Sequence, residues 1–190
     1  MSRSFLKRYG LLREGRISVA LPWVFLSFLF PALGLANPSA PFQEGRIAVY
    51  FSPGGGATEA LVQEISRGKR EILVQAYSFT STPIFKALLE AHQRGLTVKI
   101  IIDKSERGEG LTPTVQLANA GVPVFLDGKH GLAHSSCLII DQQTVITGSF
   151  NFTKASEELN AEDLLIIRSS QLAQQYRNYW ESHRSHSEPY

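Results

Sequence analysis

Residues 134–153, HSSCLIIDQQTVITGSFNFT, concentrate side chains that could do chemistry. His134 and Ser136 are two positions apart, so on an extended backbone they share one face, and Asp141 closes that run. Gly148 permits close approach of backbone, and Ser149 and Asn151 alternate after it. A histidine titrating near neutral pH, a hydroxyl and a carboxamide converging at one turn would suit an anion. The same spacing also fits a core histidine followed by turn residues that cap a helix from Thr153 onward.

Other chemistries find less support. Gly54-Gly55-Gly56 lacks both the GK[ST] ending of a phosphate loop and the GxGxxG spacing, and reads as a strand-to-helix turn. A single cysteine excludes an internal disulfide and a cysteine-cluster zinc site. Cys137 alternates with Ser136 and reads as a core residue on the opposite face. His130 and His134 have a helical metal spacing, but on an extended segment they would stand ~13 Å apart. Asp127 is near them in sequence without a defined place, and His183 and His186 read as solvated ends of the last helix. No metal and no cofactor are expected.

The elements that must hold the 134–153 stretch alternate between strand and helix. Residues 46–51, 71–79, 97–102 and 122–126 are β-rich runs. Between them lie helical faces: Ala60, Leu61 and Ile65 with Thr58 as a cap, then Ile84, Leu88 and Ala91 behind Thr82-Pro83, then a helix from Thr112-Pro113. Residues 138–141 and 144–147 flank Gln142-Gln143 as a hairpin, 163–168 form a further strand, and 171–184 a closing helix. This alternation predicts an α/β fold with a mixed, largely parallel β-sheet flanked by helices, in one domain without internal repeats.

The overall balance of 19 basic against 17 acidic residues conceals an asymmetry. Without residues 1–36, which hold five basic groups and one acid, 14 basic and 16 acidic residues remain, a formal charge of −2. Net charge therefore does not point the folded part toward nucleic acid, and any anion site must be local. The basic start, the apolar run 17–36 and the small residues Gly34-Leu35-Ala36 form the pattern of a secretory signal. An uncleaved membrane anchor is the alternative, and both place the remainder outside the cytoplasm, periplasmic or secreted. The chain thus divides into a signal at 1–36, a linker at 37–45, one domain at 46–186 and a tail at 187–190.

The pattern H-x-K-x4-D-x6-G-S-x-N, met here at His134, Asp141, Gly148, Ser149 and Asn151, resembles the phospholipase D superfamily. FSPGGG (51–56), ILVQAYSFTS (72–81), GSFNFTKASEE (148–158) and NAEDLLII (160–167) are similar to its small secreted bacterial nucleases. The resemblance implies a metal-independent phosphodiesterase acting on nucleic acid or, as runner-up, phospholipid. One histidine attacks phosphorus to form a phosphohistidine, and a second protonates the leaving oxygen. In-line displacement needs these groups on opposite sides of phosphorus. A chain with one motif supplies one such histidine, so the resemblance implies a homodimer with two His134 side chains facing one phosphate. By position, Ser149 and Asn151 hold phosphate oxygens and Glu162 orients the far nitrogen of His134. Asp141, the motif aspartate of the catalytic set, is expected to act structurally at its strand end.

Position 136 departs from the pattern: the family lysine is Ser136. A cation there would stabilise developing phosphate charge, and losing one comparable donor costs on the order of 10²–10³ in rate. Ser136 is too short and too neutral to replace it directly, though it can donate one hydrogen bond or hold a water. A catalytically impaired pseudoenzyme or an envelope binding protein is therefore the alternative to a working hydrolase.

Overall fold

The computed structural model describes residues 42–44, 47–108 and 110–190, the first three by backbone alone; the segment read as a signal lies outside them. β1 (Phe42–Glu44) and β2 (Ile47–Ser52) precede α1 (Ala57–Arg67), β3 (Glu71–Ala76), α2 (Thr82–Gln93) and β4 (Thr97–Asp103). α3 (Pro113–Asn119), β5 (Val124–Asp127), β6 (Cys137–Ile140) and β7 (Thr144–Gly148) follow. α4 (Lys154–Glu158), β8 (Glu162–Arg168), α5 (Ser170–Arg184) and β9 (Glu188–Pro189) complete the chain.

All the described strands join one mixed sheet in the order β1-β2-β8-β7-β6-β3-β4-β5-β9. Its parallel part is narrower than the strand-helix rhythm suggested: only β3-β4 and β4-β5 run parallel, and the other six pairings are antiparallel. The reason is local. Between β5 and β6 no helix crosses back over the sheet, and the β6-β7 hairpin enters antiparallel to β3. Two stretches outside the expected domain also pair. β1 lies within the segment read as a linker, and β9 within the segment read as a tail.

Side-chain alternation on β3 divides the core between the two faces of the sheet. Ile72, Val74 and Ala76 pack with Leu61, Ile65, Leu88 and Leu117 on the α1–α3 face. Leu73 packs with Ile101, Cys137, Val145 and Trp180 on the α5 face. Trp180 is wholly buried and donates its indole N–H to Val74 O at 2.9 Å, which fixes α5 across the sheet. Cys137 is in the core as its alternation predicted, and burial pushes its thiol up to about 12.

The helix starts mostly follow their sequence signals. Thr112 caps α3 by accepting Val115 N–H at 3.2 Å, and Pro83 sits in the first turn of α2. α1 is different. Its start falls at Gly56, in left-handed backbone at φ 77°, rather than at Thr58. The Glu157 carboxylate on α4 accepts from Gly56 N at 3.3 Å and Thr58 N at 2.7 Å, satisfying two of the orphan amides at that end.

Candidate active site

The carboxyl ends of β2, β3, β4, β5 and β7 and the amino ends of β6 and β8 lie at one edge of the sheet, as their pairings require. That edge is where open α/β sheets bind ligands. His134 enters it just before β6 and is exposed. Its ring rests on Tyr77, just past the end of β3, with centroids 4.3 Å apart and planes inclined by 31°. The neighbouring Ala133 N–H is bound at 2.7 Å by the carboxylate of Asp103, a wholly buried residue at the end of β4. Burial raises the Asp103 pKa, but bonds from Ser105 and Ala133 outweigh it and hold the carboxyl below its ordinary value. Asp103 thus fixes the backbone from which His134 projects.

Gly148, at the end of β7, meets β8 too closely for any side chain: an added Cβ would lie 2.1 Å from Asp163 O. This contact sets Ser149 beside β8. Ser149 Oγ accepts Asp163 N–H at 3.1 Å and donates to Glu162 Oε2 at 2.6 Å. Asn160 Nδ2 donates to Glu162 Oε1 at 3.0 Å. The bond from Glu162 to His134 that the resemblance implied is not among these, though each carboxylate oxygen retains capacity for another donor. Ser149 is likewise committed to Glu162, so holding a phosphate oxygen would require its hydroxyl to turn.

Ser136 is nearly buried, and its hydroxyl donates to Asn151 Oδ1 at 3.0 Å. This bond orients the carboxamide and leaves Asn151 Nδ2 as a donor. The residue at the lysine position is therefore bonded to Asn151. Thr80 and Ser81 N–H both bond Phe152 O, at 3.0 and 2.9 Å, tying the loop after Tyr77 to the Asn151 turn. A cleft of about 460 Å³ opens beside these groups, lined by His134, Ser136, Thr147, Gly148, Tyr176 and Tyr179 among others.

Asp141 is not at this edge. It lies beyond the other end of β6, where its carboxylate accepts backbone N–H of Lys69, Arg70 and Glu71 at 2.9, 2.7 and 3.0 Å. Burial opposes ionisation there, but bonds from the backbone of Glu71, Lys69 and Arg70 prevail and keep the carboxyl below its usual range. Asp141 and Gln142 take left-handed backbone, at φ 54° and 58°, in the hairpin turn. Such backbone is unfavourable for residues with a Cβ, and the three N–H bonds offset that cost.

His183 and His186 are not solvated helix ends. His183 is buried, and its Nδ1 lies 2.6 Å from Asp127 Oδ2. Helical spacing from Ala173 and Trp180, both wholly buried, was the signal that placed His183 on the inner face. Asp127 also receives His130 Nδ1 at 3.0 Å and Lys129 N–H at 3.1 Å. Its burial raises the pKa, yet the histidine bonds prevail and hold the carboxyl far below its ordinary value.

Residues 61–184 match the family described as "Cardiolipin synthase, PLD-like domain". The chain is 36% identical over 160 residues to "Phospholipase D" of Rickettsia typhi, covering 84% of this chain and 78% of that protein. It is 27% identical over 125 residues to "Mitochondrial cardiolipin hydrolase" of Xenopus tropicalis, covering 66% of this chain and 60% of the relative. Among solved structures, the phospholipase D family member Nuc from Salmonella typhimurium superposes with a TM-score of 0.70 at 36% identity, covering 80% of this chain and 99% of that one. The fold and these relatives thus support a hydrolase of phosphodiesterase type. The chain belongs to the phospholipase D superfamily.

Proposed function

We propose that this protein is an exported, metal-independent phosphodiesterase that cleaves nucleic acid through a phosphohistidine at His134. The observation that supports this reading is that exposed His134 lies at the same sheet edge as Ser149, Asn151 and Glu162, in a chain of this superfamily. An imidazole nitrogen of His134 attacks phosphorus, forming the N–P bond as the P–O bond to the leaving group breaks. A second imidazolium, His134 of another copy, gives its proton to the leaving oxygen. Water then attacks the phosphohistidine, losing a proton to that second imidazole, and the N–P bond breaks. Asn151 Nδ2, held by Ser136, donates to a non-bridging oxygen.

The shared site requires two protomers, and exposed apolar side chains flank it. Leu132 is 60% exposed two residues before His134, and Leu159 is 77% exposed beside Asn160. Nucleic acid is favoured because the short domain, matching 99% of Nuc, has little room for a lipid-binding lobe. Phospholipid is the second reading, favoured by the names of the Rickettsia and Xenopus relatives. Export rests on residues 1–36, and cleavage after Ala36 would be read by N-terminal sequencing of the secreted product.

The test is turnover by the full-length chain, in EDTA, on supercoiled plasmid DNA and on phosphatidylcholine and cardiolipin vesicles. Plasmid nicking that weakens steeply with salt supports the reading, since neutralised phosphates release counterions. Hydrolysis confined to vesicles moves the substrate to lipid. The departure at Ser136 favours a third outcome, binding without turnover; that reading holds only if Ser136→Lys restores hydrolysis absent from the natural chain.

A further inference from the structure

Apart from the His134 cleft, one group of histidine and carboxylate side chains among the described residues converges without serving the proposed chemistry. Asp127, His130, His183 and His186 each offer one ligand atom, and these atoms lie within 4.8 Å of one another. The fold brings them from three places. Asp127 ends β5 and His130 follows in the next loop, α5 delivers His183 from its inner face, and the turn into β9 delivers His186.

We propose that these four residues bind one divalent transition-metal ion of the zinc class as a structural staple. Three features support it. First, the donor set is three imidazoles and one carboxylate, which suits a borderline ion such as Zn²⁺ rather than the all-oxygen cages of Ca²⁺ or Mg²⁺. Second, the spacing is near that of a four-coordinate ion. Bonds of 2.0–2.2 Å in tetrahedral geometry put ligand atoms ~3.4 Å apart. Histidine nitrogens stand 2.6, 3.0 and 3.3 Å from Asp127 oxygens, so modest side-chain rotations close the set. Third, the carboxylate does not need all three rings. Lys129 N–H, His183 and His130 already hydrogen bond it, while the buried His186 Nε2 meets it only as a looser ion-pair contact, 3.3 Å from Asp127 Oδ1. A buried imidazole nitrogen that meets the carboxylate only loosely has capacity for the closer partner an ion would supply.

The staple would join β5, the loop leading to His134, the end of α5 and the final strand. It also borders the cleft. Tyr179 packs edge-on against His183 at 4.4 Å and its hydroxyl lies 3.1 Å from Ser135 Oγ, next to His134. The ion takes no part in the phosphoryl transfer; it stiffens one wall of the cleft.

The experiment uses the full-length chain without a polyhistidine tag, stripped by chelator and dialysed. Co²⁺ is titrated in as a visible probe, followed by Zn²⁺ competition and a thermal melt with and without Zn²⁺. The proposal expects one Co²⁺ per chain with the intense visible absorption of a four-coordinate site, displacement by one Zn²⁺, and a raised melting temperature. His130→Ala and His186→Ala, at the more exposed ligands, should each weaken binding by more than the ~10–100-fold that losing an outer-shell partner costs. His134→Ala should leave the titration unchanged. The absence of stoichiometric Co²⁺ or Zn²⁺ binding by a chain that circular dichroism shows to be folded would overturn the proposal. So would binding that survives both substitutions combined; the cluster would then be a hydrogen-bonded hub alone.

Discussion

At the open end of the β6-β7 hairpin, His134 is exposed and rests on one tyrosine ring, at an edge it shares with hydrogen-bonded Ser149 and Glu162. At the turn end, Asp141 is held by three backbone N–H groups, and it and Gln142 accept left-handed backbone to keep it there. Both residues belong to one sequence motif, yet they stand at opposite ends of a strand. A motif read as one chemical unit is here two devices: a reactive group kept loosely enough to meet substrate, and an anchor that sets the register of the hairpin presenting it.

That division can be broken most decisively at His134. Replacing it by Ala should remove turnover, by roughly 10⁶-fold or to background as when a nucleophile is deleted, with an unchanged thermal melt. A melt that falls with activity would make His134 part of the framework. Ser136→Lys should raise kcat by on the order of 10²–10³, because a cation then meets the developing charge directly. An unchanged kcat would mean that the Ser136–Asn151 pair already supplies that stabilisation. Asp141→Ala should act in the opposite sense, costing roughly 3 kcal/mol of stability by denaturant titration as charge-assisted bonds are lost, with turnover per folded molecule within about twofold.

The Asp141 contribution also has a pH signature. Its folded pKa is depressed, so the stability it adds is present above the unfolded pKa of ~3.9 and is lost as pH falls through the lower folded value. The gap in stability between the natural chain and Asp141→Asn should therefore be constant near neutrality and narrow in acid. Equilibrium unfolding at a series of pH values would show it. The smallest effect is expected at Tyr179→Phe, which removes one neutral, exposed hydrogen bond to Ser135. Stability should change by about 1 kcal/mol or less and kcat by no more than about threefold.

Much of the architecture was legible because it is local. A β-rich run placed β2, two runs flanking Gln142-Gln143 placed the β6-β7 hairpin, and Thr-Pro pairs marked α2 and α3. Ser149, Asn151 and Glu162 were singled out by the resemblance to the superfamily, because spacing alone fitted a core histidine equally well. What was hidden depends on contacts between distant residues. Glu157 caps a helix about 100 positions away, and Asp103 grips Ala133 from another strand. Tyr77 lies beside His134 only because β3 pairs with β6. Periodicity reports which residues are buried, not which remote donor they meet. His183 shows the limit from the other side: its spacing from Trp180 signalled burial, but its place near the chain end suggested solvent.

The account rests on His134 as nucleophile, so the most direct measurement is to trap its intermediate. The full-length chain and Ser136→Lys would be mixed with bis(p-nitrophenyl) phosphate in EDTA, quenched under alkaline denaturing conditions to preserve the N–P bond, and mapped by peptide mass spectrometry. The account predicts a nitrophenyl-phosphoryl adduct on His134, formed with release of one nitrophenol and absent from His134→Ala. Turnover without that adduct, turnover that survives His134→Ala, or no adduct in either the natural chain or Ser136→Lys would contradict it.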